Sequence, residues 1–331
     1  MTQPLRPMTL GEIVDRTFQI YGSRFLAFTA ISAITVIAVE LLRAADRYLL
    51  HVSSLYRPSN KAETLVWNFI VGLGFYHLSC LVAGLTEPSI VKLASGSFLE
   101  EECTIVSSVR FAVNRWRSYL WIAILKVSVI LLLPEIAFMI LAIGVAIAAQ
   151  AGGLFSSATK WALPLLGAFV VLVASALFLW LGTCLSLALP ATALEGRAGL
   201  NSLHRSWAIT KGTRARVGSV WFTVFVALWV LTWASEFLLG QLMFFAGRVL
   251  HLAEAMRHLY PSAVFLLATA IYVLIGPIYP IAITLFYYDQ RIRREGYDVE
   301  RMMDAAGLNP PPAPQPAEAS MAHTNPEASE A

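Results

Sequence analysis

Charge is scarce in this 331-residue chain: Asp, Glu, Lys and Arg make up 14% of it, against about 25% in an ordinary soluble domain. A fully wetted surface is hard to build from so little. The net charge of +3 is too small to argue for a nucleic-acid partner. Cysteine is sparse as well. Cys80, Cys103 and Cys184 form no C-x-x-C pair, which excludes a disulfide framework and a zinc site read from spacing. The chain has no phosphate-cradling glycine loop, no G-x-S-x-G and no close carboxylate pair in polar surroundings. No enzyme class and no cofactor is indicated. Residues 1–24 are mixed polar and do not read as a signal peptide. Strand-like alternation of polar and apolar residues is missing too.

Apolar residues are what the chain has in abundance, at 57%, with a mean hydropathy of +0.66. A helix needs roughly 20 mainly apolar residues to cross a bilayer core. Six runs reach that length, at about 25–42, 65–87, 118–147, 162–190, 217–246 and 262–288. Lipid satisfies no open backbone groups, so these runs must be helical. The connections at 1–24, 88–117, 191–216 and 289–301 carry sixteen Lys and Arg, and those at 43–64, 148–161 and 247–261 carry seven. Basic loops stay in the cytoplasm. The reading is therefore a multi-pass protein of the bacterial cytoplasmic (inner) membrane with both termini cytoplasmic. Trp116, Tyr119 and Trp121, Trp161, and Tyr287 with Tyr288 stand at run borders, where amphipathic rings favour the headgroup level.

A threefold pattern runs through the chain. An amphipathic segment precedes the first, third and fifth runs. In the first, Leu10, Ile13, Val14, Phe18 and Tyr21 share a face. In the second the face is Ile105, Val109, Ala112, Val113 and Trp116, and in the third Leu200, Leu203 and Trp207, with Ser202 and Arg205 opposite. Such helices lie in the membrane interface. The even runs end alike, with Pro88 before Gly96, Pro190 before Gly199 and Pro280 before Gly296. The expected fold is all-α: a six-span bundle of three helical hairpins over residues 1–307, each hairpin preceded by a cytoplasmic interfacial helix. Residues 308–331, rich in Pro, Ala and Glu, read as a disordered cytoplasmic tail.

Ionisable residues inside spans are costly and so are candidates for function. Lys126, Glu135, Glu236 and His77 qualify. Lys126 and Glu135 are nine residues apart, about half a turn out of phase, so they cannot pair along one helix face. Glu236 is the alternative partner for Lys126. Pro134, Gly276–Pro277 and Pro280 should kink their helices. His251, Glu254 and His258 have one-face helical spacing but lack the H-E-x-x-H order of a zinc protease, and a solvated face is the simpler reading. Arg16, Arg110, Arg115, Arg117, Arg205, Lys211, Arg214 and Arg216 are candidate contacts for anionic lipid, each worth around 1 kcal/mol near such a leaflet.

Three strings, MTLGEIVDRTFQIYGSRF at 8–25, LPATALEGRAGLNSLHRSWAITKG at 189–212 and PIAITLFYYDQRIRREGYDVE at 280–300, resemble the bacterial glycerophosphoryl diester phosphodiesterase membrane domain family. In fused relatives the phosphodiesterase activity belongs to an attached soluble barrel marked by a His-Arg-Gly run and acidic metal ligands. Here Ser206 follows His204–Arg205, and a barrel of about 250 residues has no room. The resemblance therefore implies the membrane part without the enzyme. The expected function is a non-catalytic integral membrane protein that binds lipid or a membrane-protein partner. The alternative is a small secondary transporter using Lys126, Glu135 and Glu236.

Overall fold

A computed structural model describes residues 6–56, 61–132, 135, 136, 139, 144, 159–196 and 199–308. Arg57, Pro134, Arg197, most of the third run's second half, and the tail from 309 lie outside the described residues. Every regular element described is helical. The α-helices are α1 (Leu10–Ser23), α2 (Phe25–Tyr56), α3 (Lys61–Phe98), α4 (Ile105–Asn114), α5 (Trp116–Val127), α6 (Thr159–Leu185), α7 (Ala188–Glu195), α8 (Leu200–Thr210), α9 (Arg214–Val249), α10 (Ala253–Ile275), α11 (Ile278–Glu295) and α12 (Tyr297–Ala305). A π-helical turn, Ser128–Leu132, continues α5. It lies just before Pro134 in the sequence.

Five helical stretches are long and apolar enough to cross a membrane: Phe25–Leu49, Ile70–Phe98, Gly167–Glu195, Arg214–Val249 and Ala253–Glu295. The chain is thus an all-helical, multi-pass membrane protein. The stretch from Trp116 to Leu132 occupies the place of the third expected run. Neighbours in sequence are neighbours in space. α2 packs on α3, α3 on α5, the π turn on α6, α6 on α9, α9 on α10, and α10 returns to α2. The helices close into a ring.

Close approach at three contacts of this ring depends on small residues. A Cβ added to Gly84 of α3 would lie 2.8 Å from the Ala123 Cβ of α5. One added to Gly218 of α9 would lie 3.1 Å from Thr183 of α6, and one added to Gly276 would lie 2.9 Å from Ser32 of α2. Small residues let membrane helices meet backbone to backbone, where packing rather than water exclusion holds them.

The buried core is not spread evenly along the helices. It lies at one end of the ring, where the last turns of α3, all of α7 and all of α11 meet one another. Each segment carries the proline seen in the sequence: Pro88, Pro190 and Pro280. α3 runs straight through Pro88. The other two chains break first, α6 from α7 at Ser186–Leu187 and α10 from α11 at Gly276–Pro277. Side chains of the amphipathic helices satisfy the broken ends. Ser206 of α8 donates to the Cys184 carbonyl (2.7 Å) and accepts from the Leu187 N–H (3.2 Å). The Tyr21 hydroxyl of α1 donates to the Leu274 carbonyl (2.5 Å).

The three amphipathic helices form where expected and cover this core, α4 on α3, α8 on α7 and α1 on α11. Each buries only part of its apolar face in the protein, together with hydroxyl residues. α1 buries Ile13, Thr17 and Ile20 and exposes Phe18, α4 buries Ser108 and Ala112 and exposes Val113, and α8 buries Ser202, Leu203 and Ser206 and exposes Leu200. Thr17 and Ser108 tolerate burial because they bond locally, to the Ile13 and Thr104 carbonyls, whereas the buried Ser202 hydroxyl has no hydrogen-bond partner among the described residues. The large apolar side chains are left facing away from the core. Tyr119, Tyr287 and Tyr288 depart from expectation, since all three are buried in the protein rather than standing at its border.

Candidate functional site

Above the core, inside the ring, lies a cavity of about 420 Å³ lined by α3, α5 with its π turn, α6, α7, α9 and α11. A second lobe of about 290 Å³ lies between α2, α3, α10 and α11. The lobes share Ala83, Glu87 and Tyr279. Glu87, Leu189 and Tyr279 are the residues just before Pro88, Pro190 and Pro280, and all three line the larger lobe. The three proline-bearing exits therefore form the floor together, each contributing its pre-proline side chain.

Most of the wall is apolar, including Val127, Ile130, Leu131, Phe178 and Trp221. Two charged groups line it, Glu87 on the floor and Lys126 on the wall. Among the described residues neither makes a hydrogen bond or an ion pair. Tyr76, Cys80, Thr183 and Ser186 add weaker polar atoms. The smaller lobe holds the Arg43–Glu40 pair and the Thr35–Thr86 hydrogen bond of 2.7 Å.

The structure regroups the intramembrane residues singled out in the sequence. His77 Nε2 lies 3.2 Å from Glu135 Oε2. The His77 Nδ1–H donates to the Leu73 carbonyl at 2.7 Å, since that oxygen only accepts. Nε2 and Oε2 are both buried and complete no hydrogen bond among the described residues. Lys126 makes no ion pair with Glu135 or with Glu236 among the described residues. Glu87 and Tyr279 were missed in the sequence. Glu87 sits where an apolar run meets a proline and reads as a span border. A carboxylate embedded in an apolar run was the signal available.

The basic residues divide into two groups. Arg205 is engaged inside the protein, donating through Nε to Glu195 (3.0 Å) and through Nη2 to Glu195 (2.6 Å) and Glu295 (2.7 Å). Burial opposes its charge, but the hydrogen bonds it donates to Glu295 and Glu195 outweigh it and hold the guanidinium pKa above its ordinary value. Arg216 lies 3.7 Å from Asp289, stacks on Phe286 and donates to the Met8 carbonyl at 3.1 Å. Arg214 stacks on Trp207, 4.6 Å from its centroid. Arg16 donates to Gln19. Arg115 and Arg117 lie over Phe111 and Trp116, and with Arg110 and Lys211 they are exposed.

At the opposite end, His251 lies in a turn with φ 56°, ahead of α10, so it does not share a helix face with Glu254 and His258. No group of three His, Cys, Asp or Glu side chains among the described residues is placed to hold a metal ion. No protein-family model matches this chain, and no curated protein matches it.

Proposed function

We propose that this chain is a non-catalytic membrane protein that binds a lipid-like amphiphile inside its helix ring. The observation that carries the reading is the larger cavity: an apolar space among membrane-crossing helices with unpaired charges at its polar end. Ligand sites are concave, mainly apolar and marked by few polar groups, and this cavity has that composition. The exposed apolar faces of α9, with Trp229, Trp233, Phe237 and Leu238 turned outward, suit a helix surrounded by lipid. The resemblance to the phosphodiesterase membrane domain family supports the same reading, because it supplies a membrane part without catalytic residues. We place the protein in the bacterial cytoplasmic membrane with the α1, α4, α8 and α12 end in the cytoplasm, on the basic excess there. Exposed Arg110, Arg115, Arg117 and Lys211 are the residues of that end best placed for anionic headgroups. A transport pathway built on Lys126 with Glu135 or Glu236 is the weaker reading, because Glu135 faces His77 instead.

A cavity-filling variant tests the reading. Gly182 lines the space, and a Cβ added there meets nothing within 4 Å. Native mass spectrometry of the full chain released from maltoside micelles should show a retained phospholipid-sized adduct, lost in Gly182→Phe. Adducts retained equally by that variant, or missing from the wild type, contradict the proposal.

A further inference from the structure

The larger cavity holds one cation and one anion that do not meet. Lys126 and Glu87 line the same space and have no ion pair with each other or with any other described residue. Opposite charges in a low-dielectric space attract, and these two stand on different helices. The seam between α3 and α5 sets the offset between them. Gly84 and Ala123 are in contact there, and each charged residue lies three positions further along its own helix. The two helices run in opposite directions, α3 toward the buried core and α5 away from it. Three residues one way and three the other offset the two backbone positions by about 9 Å along the axis. Glu87 is anchored further by Pro88 in the packed floor.

Unpaired charges in such a place are costly. A ligand carrying both signs satisfies both residues at once. We infer that, within the amphiphile reading above on which this rests, the cavity selects a zwitterionic lipid, its acidic group on Lys126 and its amine on Glu87, with acyl chains along Ile130, Phe178 and Trp221. A purely anionic lipid leaves Glu87 unpaired and repelled, and a neutral diacylglycerol leaves both residues unpaired. The apolar wall selects a lipid over a soluble zwitterion of the same chemistry.

The experiment uses the purified full chain in maltoside micelles with three photoactivatable probes bearing identical acyl chains: phosphatidylethanolamine, phosphatidylglycerol and diacylglycerol. Labelled residues are read by peptide mass spectrometry. Phosphatidylethanolamine should label the cavity residues about tenfold more than phosphatidylglycerol, the effect expected for one charged hydrogen bond. Glu87→Gln, which keeps the side-chain shape, should bring phosphatidylethanolamine down to the phosphatidylglycerol level without lowering the latter. Lys126→Met should lower both, and Lys126→Arg should restore them. Equal labelling by the two phospholipids, or no effect of Glu87→Gln, overturns the inference while leaving amphiphile binding intact. Probes that label only outward residues such as Phe222 and Phe225 overturn both. Displacement of the phosphatidylethanolamine label by free phosphoethanolamine would overturn the selection of a lipid.

Discussion

Asp289 shows how one residue can hold distant parts of the chain together. It is fully buried, accepts the Met8 N–H at 2.7 Å and takes Arg293 Nε at 3.0 Å. Arg293 Nη2 returns a bond of 2.6 Å to the Met8 carbonyl. The segment before α1 is thereby clamped to α11, more than 270 residues away. Arg293 is about a third exposed and can turn to water, so removing Asp289 costs less than the ~3–5 kcal/mol of a fully buried pair. Asp289→Ala should lower the thermal midpoint of the micellar protein and raise amide exchange throughout α1, whereas Arg16→Ala, whose half-buried side chain bonds Gln19 of the same helix, should do neither. Nothing local in YYDQRIRREG marks Asp289 as buried, since the Met8 N–H that it accepts comes from the far end of the sequence. Glu12 is the converse case, a capping residue whose partners are close in sequence. The Thr9 N–H donates to its carboxylate (2.7 Å), Arg6 lies beside it and its own N–H bonds back to Thr9. Those contacts hold its pKa at about 2, below the ordinary 4.5. The lowered value means the cap is fully stabilising above about pH 4.5 and is lost as pH falls toward 2. Amide protection at the start of α1, corrected for intrinsic exchange, should decline across that window in the wild type and stay flat in Glu12→Gln.

The elements were more legible in outline than in orientation. Amphipathic spacing located α1, α4 and α8 closely, because apolar periodicity is a local signal. Which part of each face the protein would bury was not legible. A helix that meets protein on one side and lipid on another has two inward-looking faces, and apolarity alone marks the lipid side. The small hydroxyl residues Thr17, Ser108 and Ser206 mark the protein side, and their polarity hid it. The seams were equally hidden, since Gly84 and Gly218 are unremarkable in sequence until their partners are known, and Gly276 reads there only as part of a kink. Gly84→Val and Gly276→Val should each force their helices apart at an overpacking cost of about 1–3 kcal/mol. Gly72→Val should be tolerated, because a Cβ there meets nothing within 4 Å. Detergent-resistant folded fraction against temperature separates the three.

At the scale of the whole molecule, the recurrence in the sequence becomes a geometry. Each proline-bearing exit is covered by an amphipathic helix, and α1, which precedes the first hairpin, covers the exit of the last one on α11. That closure brings Glu87, Leu189 and Tyr279 to one floor. Membrane character was readable from composition because it is a sum over many residues. The cavity was not, because it depends on helices far apart in sequence meeting around one space. Glu87 shows the difference: as a residue it looks like the end of a span, and in the ring it is shared by both lobes. The most direct test is an experimental density map of the full chain in phosphatidylethanolamine-containing nanodiscs. The account predicts elongated density over Tyr279, between α3, α5, α6 and α9, with its polar end at Lys126 and Glu87. Side chains filling that space, or a water-filled space open to the aqueous face with no lipid in it, would contradict the account.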